Sequence, residues 1–189
     1  MKTIPYMGSK RKLLGFLESS MLDYLDDTQI YSFFDAFAGS GRVAHHFRNK
    51  YKIVANDRQS YTKVILEAYL QNTKDSNYYL GAINHLNSLP DAHWSKTDGW
   101  YMNTYGAPEN NGSSIGADGN PKPWVDYNAK KIDSIRYEID KMYPEGCVEK
   151  SVLLLSLMLG VSRISNWMGH QTGYFKDWKK GKLRPLMIR

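Results

Sequence analysis

Phe34-Asp35-Ala36-Phe37-Ala38-Gly39-Ser40-Gly41 is the stretch on which the fold turns. The residues from Tyr31 to Phe37 are aromatic and apolar and run straight into a Gly-Ser-Gly turn, the pattern of a buried parallel strand. Glycines directly after a strand let the backbone reverse tightly and approach a ligand closely. Working outward, Val43 to Phe47 starts a helix. Lys52-Ile53-Val54-Ala55 is a second short strand, closed by Asn56-Asp57. Ser60 is placed to cap the next helix, which carries Val64, Ile65, Ala68 and Tyr69. Strand, glycine turn, helix, strand, helix is half of a doubly wound α/β sheet.

Two carboxylates flank that turn. Asp57, at the end of the second strand, is positioned to accept ribose hydroxyls of a nucleoside cofactor. Gly39-Ser40-Gly41-Arg42-Val43-Ala44 by itself also fits a dinucleotide fingerprint, or an ordinary strand-to-helix turn. Asp35 separates the ligands by charge. A carboxylate there pairs with a cationic ligand such as S-adenosylmethionine, which carries an ammonium and a sulfonium. It repels a pyrophosphate.

The rest of the chain differs in texture. From about Asn72 to Asp126 it is polar and rich in Gly, Asn, Ser, Tyr and Trp, and Tyr105 to Pro123 reads as a long loop. Ile132, Ile135, Ile139 and Met142 then recur at helical spacing, and Pro144 with Gly146 ends that helix. Glu149 to Ser162 is a nearly all-apolar helix, expected to be buried. A basic tail follows from Lys176 to Arg189.

With 189 residues, 42% of them apolar, the chain is long enough for a real core. The formal charge of +6 leans toward an anionic partner. One cysteine, Cys147, excludes an internal disulfide and a cysteine-only metal site. His45 and His46 are adjacent and cannot share a helical face, and His170 has no ligand partner, so no metal site is expected. Met1 to Tyr6 has no apolar signal region, and Val152 to Val161, broken by Ser156 and Gly160, is too short to span a bilayer. A cytoplasmic, soluble protein without membrane contact is the expectation.

Several motifs in matching order, over nearly the whole chain, resemble the D12 class of DNA adenine-N6 methyltransferases. Tyr6-x-Gly8-Ser9-Lys10 followed by Leu13-Leu14 looks like the N-terminal cofactor motif of that class. Asp35-x-Phe37-Ala38-Gly39-Ser40-Gly41 looks like its Asp/Glu-x-Phe-x-Gly-x-Gly motif, and Asn56-Asp57 like the acidic residue closing its second strand. Asn166-Trp167-Met168-Gly169-His170-Gln171, Tyr174-Phe175-Lys176-Asp177-Trp178 and Arg184-Pro185-Leu186 resemble the stretch before its third and fourth motifs.

The resemblance implies a Rossmann-like, S-adenosylmethionine-dependent α/β fold with a helical and loop target-recognition insert. It implies three segments: 1–71, binding the cofactor; 72–170, the insert; and 171–189, a basic segment returning to the α/β part. By the same resemblance Tyr6 packs against the cofactor, and Lys10 contacts cofactor or substrate. Asp35 binds the methionine end, Phe37 and Ala38 wall the pocket beside Gly39 and Gly41, and Asp57 holds the ribose. Trp94, Trp100, Tyr101, Asn103, Asn110 and Asn111 fall in the target-recognition region, where aromatics stack on displaced bases and Asn reads adenine. Lys176, Lys179, Lys180, Lys182 and Arg184 are the expected contacts to double-stranded DNA, with Arg189 in the same basic tail.

One departure is decisive for the chemistry. The family activates the adenine amine with Asp/Asn-Pro-Pro-Tyr/Phe/Trp, and no such tetrapeptide exists here. Asn120-Pro121-Lys122-Pro123-Trp124 is the nearest string, and Lys122 splits its prolines. The expectation is therefore a truncated, C-terminally incomplete chain, inactive alone, with no catalytic residue of its own. The alternatives are a non-catalytic cofactor- or DNA-binding module and half of a split methyltransferase completed by a separate C-terminal fragment. A dinucleotide-dependent oxidoreductase is disfavoured by Asp35 and by the Tyr6-to-Lys10 motif.

Overall fold

The computed structural model describes residues 10–24, 32–91, 99–109, 112–168 and 173–189. It divides into two compact units, Met1–Asn72 and Thr73–Arg189.

The first unit is built on a βαβ crossover. A 3-10 turn, Lys10–Leu13, leads into α1 (Leu14–Tyr24). β1 (Ser32–Asp35), α2 (Arg42–Phe47), β2 (Lys52–Ala55) and α3 (Ser60–Leu70) follow. β1 and β2 pair in parallel with Phe33 opposite Ile53 and Phe34 opposite Val54. Alternation then places Phe33 and Ile53 on one face. Phe33 stacks at 4.8 Å on Phe47 of α2, which is fully buried beside Val43 and Ala44. On the opposite face Phe34 and Val54 are 62% and 51% exposed. α1 is tied to α2 through Glu18, which binds His46 at 2.8 Å and pairs with Lys50.

β1 is shorter than the expected strand, because the chain already turns at Ala36-Phe37. Tyr31 lies outside the described residues. Ser60 is not the cap of α3. Gln59 occupies that place, makes no side-chain cap bond, and donates its own amide to Asp57 Oδ1. The carboxylate two residues upstream has taken the turn from the hydroxyl.

The second unit is mainly helical: α4 (Ser76–Ser88), α5 (Trp100–Tyr105), α6 (Asp126–Met142) and α7 (Val148–Ile164). A minimal parallel pair, β3 (Gly106–Ala107) with β4 (Trp124–Val125), accompanies them. Ile132, Ile135 and Ile139 of α6 meet Leu153, Leu157 and Ile164 of α7 in one core with Leu86 of α4. This is the burial that the helical spacing of the isoleucines predicts. α4 falls in the polar region read as loop-rich. Its start is set by Asp75, whose side chain accepts from the Tyr78 amide.

The segment 173–189 has almost no regular structure of its own, yet it is fastened to this unit. Leu186 and Ile188 lie in the same core, 2% and 1% exposed. Three asparagine amides hold its backbone. Asn166 donates to the Phe175 and Asp177 carbonyls and accepts from the Lys179 amide. Asn128 donates to the Arg184 carbonyl and accepts from the Leu186 amide, and Asn87 does both with Ile188. A primary amide copies the donor–acceptor pair of a neighbouring strand, so these side chains replace the sheet that the segment lacks.

Candidate functional site

The glycine turn after β1 is left-handed at Gly39 (φ 50°) and at Gly41 (φ 70°), conformations that favour glycine. Gly41 is the N-cap of α2 and brings no side chain to satisfy the helix's first amides. Asp35 does so from the end of β1: its Oδ2 accepts the Ala44 amide at 3.1 Å. Asp57, at the end of β2, reaches the same turn, and its Oδ2 accepts the Gly39 amide at 2.8 Å. Three neighbouring amides are also taken, Ala38 on the Asn56 carbonyl, Gly41 on that of Ala38 and His45 on that of Gly41.

This arrangement discriminates by charge. A pyrophosphate loop presents free amides at a helix N-terminus. Here chain acceptors take the Ala38, Gly39, Gly41 and Ala44 amides, and the two carboxylates stand beside the turn. The two are tuned in opposite directions. Burial pushes the Asp35 carboxyl above its ordinary range, against the Ala44 amide and the more distant charge of Lys10. The Gln59 and Gly39 amides hold Asp57 below that range. No cationic side chain among the described residues lies within ion-pair distance of Asp35. Its half-buried charge thus has no ion-pair partner among the described residues. His45, on α2, is pushed down to about 4 by burial and by Arg48, and is neutral at physiological pH.

The expected cofactor residues are placed unequally. Asp35, Gly39, Gly41 and Asp57 come together at the turn. Ala38 is buried, Phe37 is 81% exposed, and Lys10 is exposed at the start of the 3-10 turn. Tyr6 lies outside the described residues. A cleft of about 590 Å³ opens beside Asp57, lined on its apolar side by Ile53, Ala55, Leu66 and Leu70. Asp35, Gly39 and Gly41 are not part of its lining.

In the second unit, Lys176, Lys179 and Lys180 are exposed, with Lys179 over the Phe175 ring. Lys182 and Arg184 turn back toward the end of α7. Trp100 is 56% exposed and packs edge-on against Tyr101 and Tyr105, while Asn103 is exposed. Trp94, Asn110 and Asn111 lie outside the described residues. The Asn-Pro-Lys-Pro-Trp string is spent on structure. Lys122 reaches the Thr104 carbonyl and Asp118, and Trp124 is buried with its indole N–H on Ser165. Sequence reasoning missed Asn87, Asn128 and Arg163. Only Asn128 left a signal, an amide one turn before Ile132 on an otherwise apolar helical face.

Among the described residues no cluster of His, Cys, Asp and Glu could hold a metal ion. No described helix is long and apolar enough to cross a membrane.

A parallel βαβ unit with carboxylates at both strand ends, bonded to amides of the glycine turn between them, places the first unit among α/β proteins. The chain belongs to the D12 class N6 adenine-specific DNA methyltransferase family, whose model matches residues 6–188. Modification methylase LlaI of Lactococcus lactis subsp. lactis is 30% identical over 97% of this chain and 29% of its own length. Type II methyltransferase M.NlaIII of Neisseria lactamica is 26% identical over 97% of this chain and 52% of its own. Type II methyltransferase M.CviAII of Paramecium bursaria Chlorella virus 1 is 29% identical over 100% of this chain and 54% of its own. The chain thus spans between 29% and 54% of the length of these relatives. No solved structure gives a significant match.

Proposed function

We propose that this chain carries the S-adenosylmethionine-binding part and a DNA-contacting part of a restriction-modification adenine-N6 methyltransferase with a Rossmann-like fold. The observation that carries the reading is the pair of carboxylates, Asp35 on the Ala44 amide and Asp57 on the Gly39 amide, on either side of the glycine turn. The donor set fits the cofactor. Asp35 offers a half-buried anion to the methionine ammonium. Asp57 keeps acceptor capacity toward a sugar hydroxyl after binding two backbone amides, since a carboxylate has about four acceptor sites. The cleft beside Asp57 is of a size for a nucleoside.

S-adenosylmethionine, when bound, supplies a methyl group on a positively charged sulfur. The chain's own residues bind and orient it. Asp35 and Asp57 fix its two ends, and the αL glycines let the backbone pass close. The basic residues of the second unit hold the DNA phosphates. The groups that aim the adenine amine belong to an Asp/Asn-Pro-Pro-aromatic motif, which residues 1–189 do not contain. We therefore assign that step to polypeptide outside these residues. This missing motif also favours a second reading, one half of a split methyltransferase or a binding module.

Calorimetric titration tests the cofactor. Binding of S-adenosylmethionine or its homocysteine product, with no response to nicotinamide dinucleotides, is expected. Binding of NAD alone overturns the reading.

A further inference from the structure

α7 ends at Ile164, and its last turn carries Arg163, beside which the later segment brings two more cations. The Arg163 carbonyl accepts from Lys182 Nζ at 3.0 Å and from an Arg184 guanidinium N–H at 3.4 Å. Arg163 itself reaches back to the Met187 carbonyl at 3.0 Å. Among the described residues no carboxylate lies within ion-pair distance of any of the three. A helix C-terminus attracts a cation, which accounts for one of them but not for the group. Burial, then the charges of Arg189 and Arg184, pushes Arg163 below its ordinary range, and burial with Arg184 does the same to Lys182. The fold thus holds like charges together against their repulsion, and it does so firmly. Asn128 fixes the backbone on both sides of Pro185, and Leu186 is buried in the core. Each cation has more donors than these carbonyls use, and the guanidinium forks suit a phosphate.

We infer that Arg163, Lys182 and Arg184 form a single preorganised site for a backbone phosphate of duplex DNA. Lys176, Lys179 and Lys180 are exposed side chains, and Arg163 was absent from the basic set that the sequence singled out. The inference rests on the reading that this chain contacts DNA, and it says which residues do so.

The test is fluorescence anisotropy of a labelled duplex titrated with the 189-residue chain over a range of chloride concentrations. Each phosphate contact contributes about 0.9 to the log–log salt slope. The pair Arg163→Gln with Arg184→Gln is expected to lower the slope by that amount or more, equally for unrelated duplex sequences. The pair Arg163→Lys with Arg184→Lys is expected to keep it. Thermal unfolding of each variant checks the fold. If the glutamine pair does not fold, Arg184→Gln alone decides, since the one hydrogen bond its side chain makes among the described residues is long. Wild-type binding with an unchanged slope in the glutamine variant overturns the site and leaves the DNA reading standing. No wild-type binding at low salt overturns both.

Discussion

α2 in the first unit and α5 in the second begin in the same way, and they differ in what their capping carboxylates have left to offer. Each starts at a left-handed glycine, Gly41 or Gly99, that has no side chain to cap with. Each borrows a carboxylate from another element, Asp35 from β1 or Asp133 from α6. Asp133 spends both oxygens, on the Tyr101 amide at 3.0 Å and the Met102 amide at 2.9 Å, and is 7% exposed. It is a structural cap. Asp35 bonds Ala44 through one oxygen, remains half-buried, and is pushed up in pKa by that burial. A capping carboxylate that spends both oxygens is consumed by its helix, whereas one bonded through a single oxygen keeps a desolvated charge. Charge separates the units further: among the described residues, Asp35 at the turn of the first has no cation within ion-pair distance, and the cations at the end of α7 in the second have no carboxylate within that distance.

The largest effect is expected in catalysis. Labelled methyl transfer to adenine-rich duplex should be absent with residues 1–189 alone. A misplacement of about 1 Å in such a site can cost about a hundredfold, and here the amine-directing groups are missing. Transfer should return when a polypeptide carrying the Asp/Asn-Pro-Pro-aromatic motif of a D12 relative is supplied in trans. Robust transfer by the chain alone would break the assignment of chemistry to other polypeptide.

Asn166→Ala sharpens the contrast from the second unit. It strands the Asp177 carbonyl and the Lys179 amide beside a fully buried position, and leaves the Phe175 carbonyl to the Ser114 hydroxyl. A loss of about 3 kcal/mol is expected in urea unfolding, with nucleoside binding by the first unit retained.

Asp35 offers two substitutions that separate its two roles. Asp35→Asn keeps an acceptor for Ala44 but removes the charge. Binding of S-adenosylmethionine should weaken by about 1.5–3 kcal/mol in calorimetry. The folded pKa of Asp35 is raised, so its contribution to stability is present at acidic pH and lost as pH rises through that pKa. At neutral pH the asparagine variant should therefore be no less stable than wild type. Asp35→Ala removes the cap as well and should cost about 1 kcal/mol of stability. For the wild type, affinity should fall on acidification through the raised pKa of Asp35, at a higher pH than Asp57 alone would give. A flat pH profile would show that the Asp35 charge is not what the ligand meets.

Asp57→Ala should weaken cofactor binding by roughly 1–3 kcal/mol with the fold intact, because Asp57 ends a strand and fills no core. Wild-type affinity in this variant would show that the sugar is held elsewhere.

Local pattern was enough for the βαβ unit. A strand running into Gly-Ser-Gly, an apolar helix start and a second strand closed by Asn-Asp are all short-range features, and β1, α2 and β2 stand where they predict. The amide network, the borrowed caps and the Arg163 cluster were not legible. Asn87 and Ile188, Asp133 and Tyr101, and Arg163 and Lys182 are far apart in sequence, and no periodicity marks one member as the partner of the other. A capping rule reads the residue at the helix start, and at Gly41 and Gly99 there is no side chain to read. Sequence by itself determined the family, the glycine turn and the acidic residues at two strand ends, because these depend on residue type at fixed local spacing. Which carboxylate is consumed by a helix and which keeps its charge, and which cations are crowded together, was decided only by tertiary structure. Burial and hydrogen-bond supply are set by what the rest of the fold brings alongside.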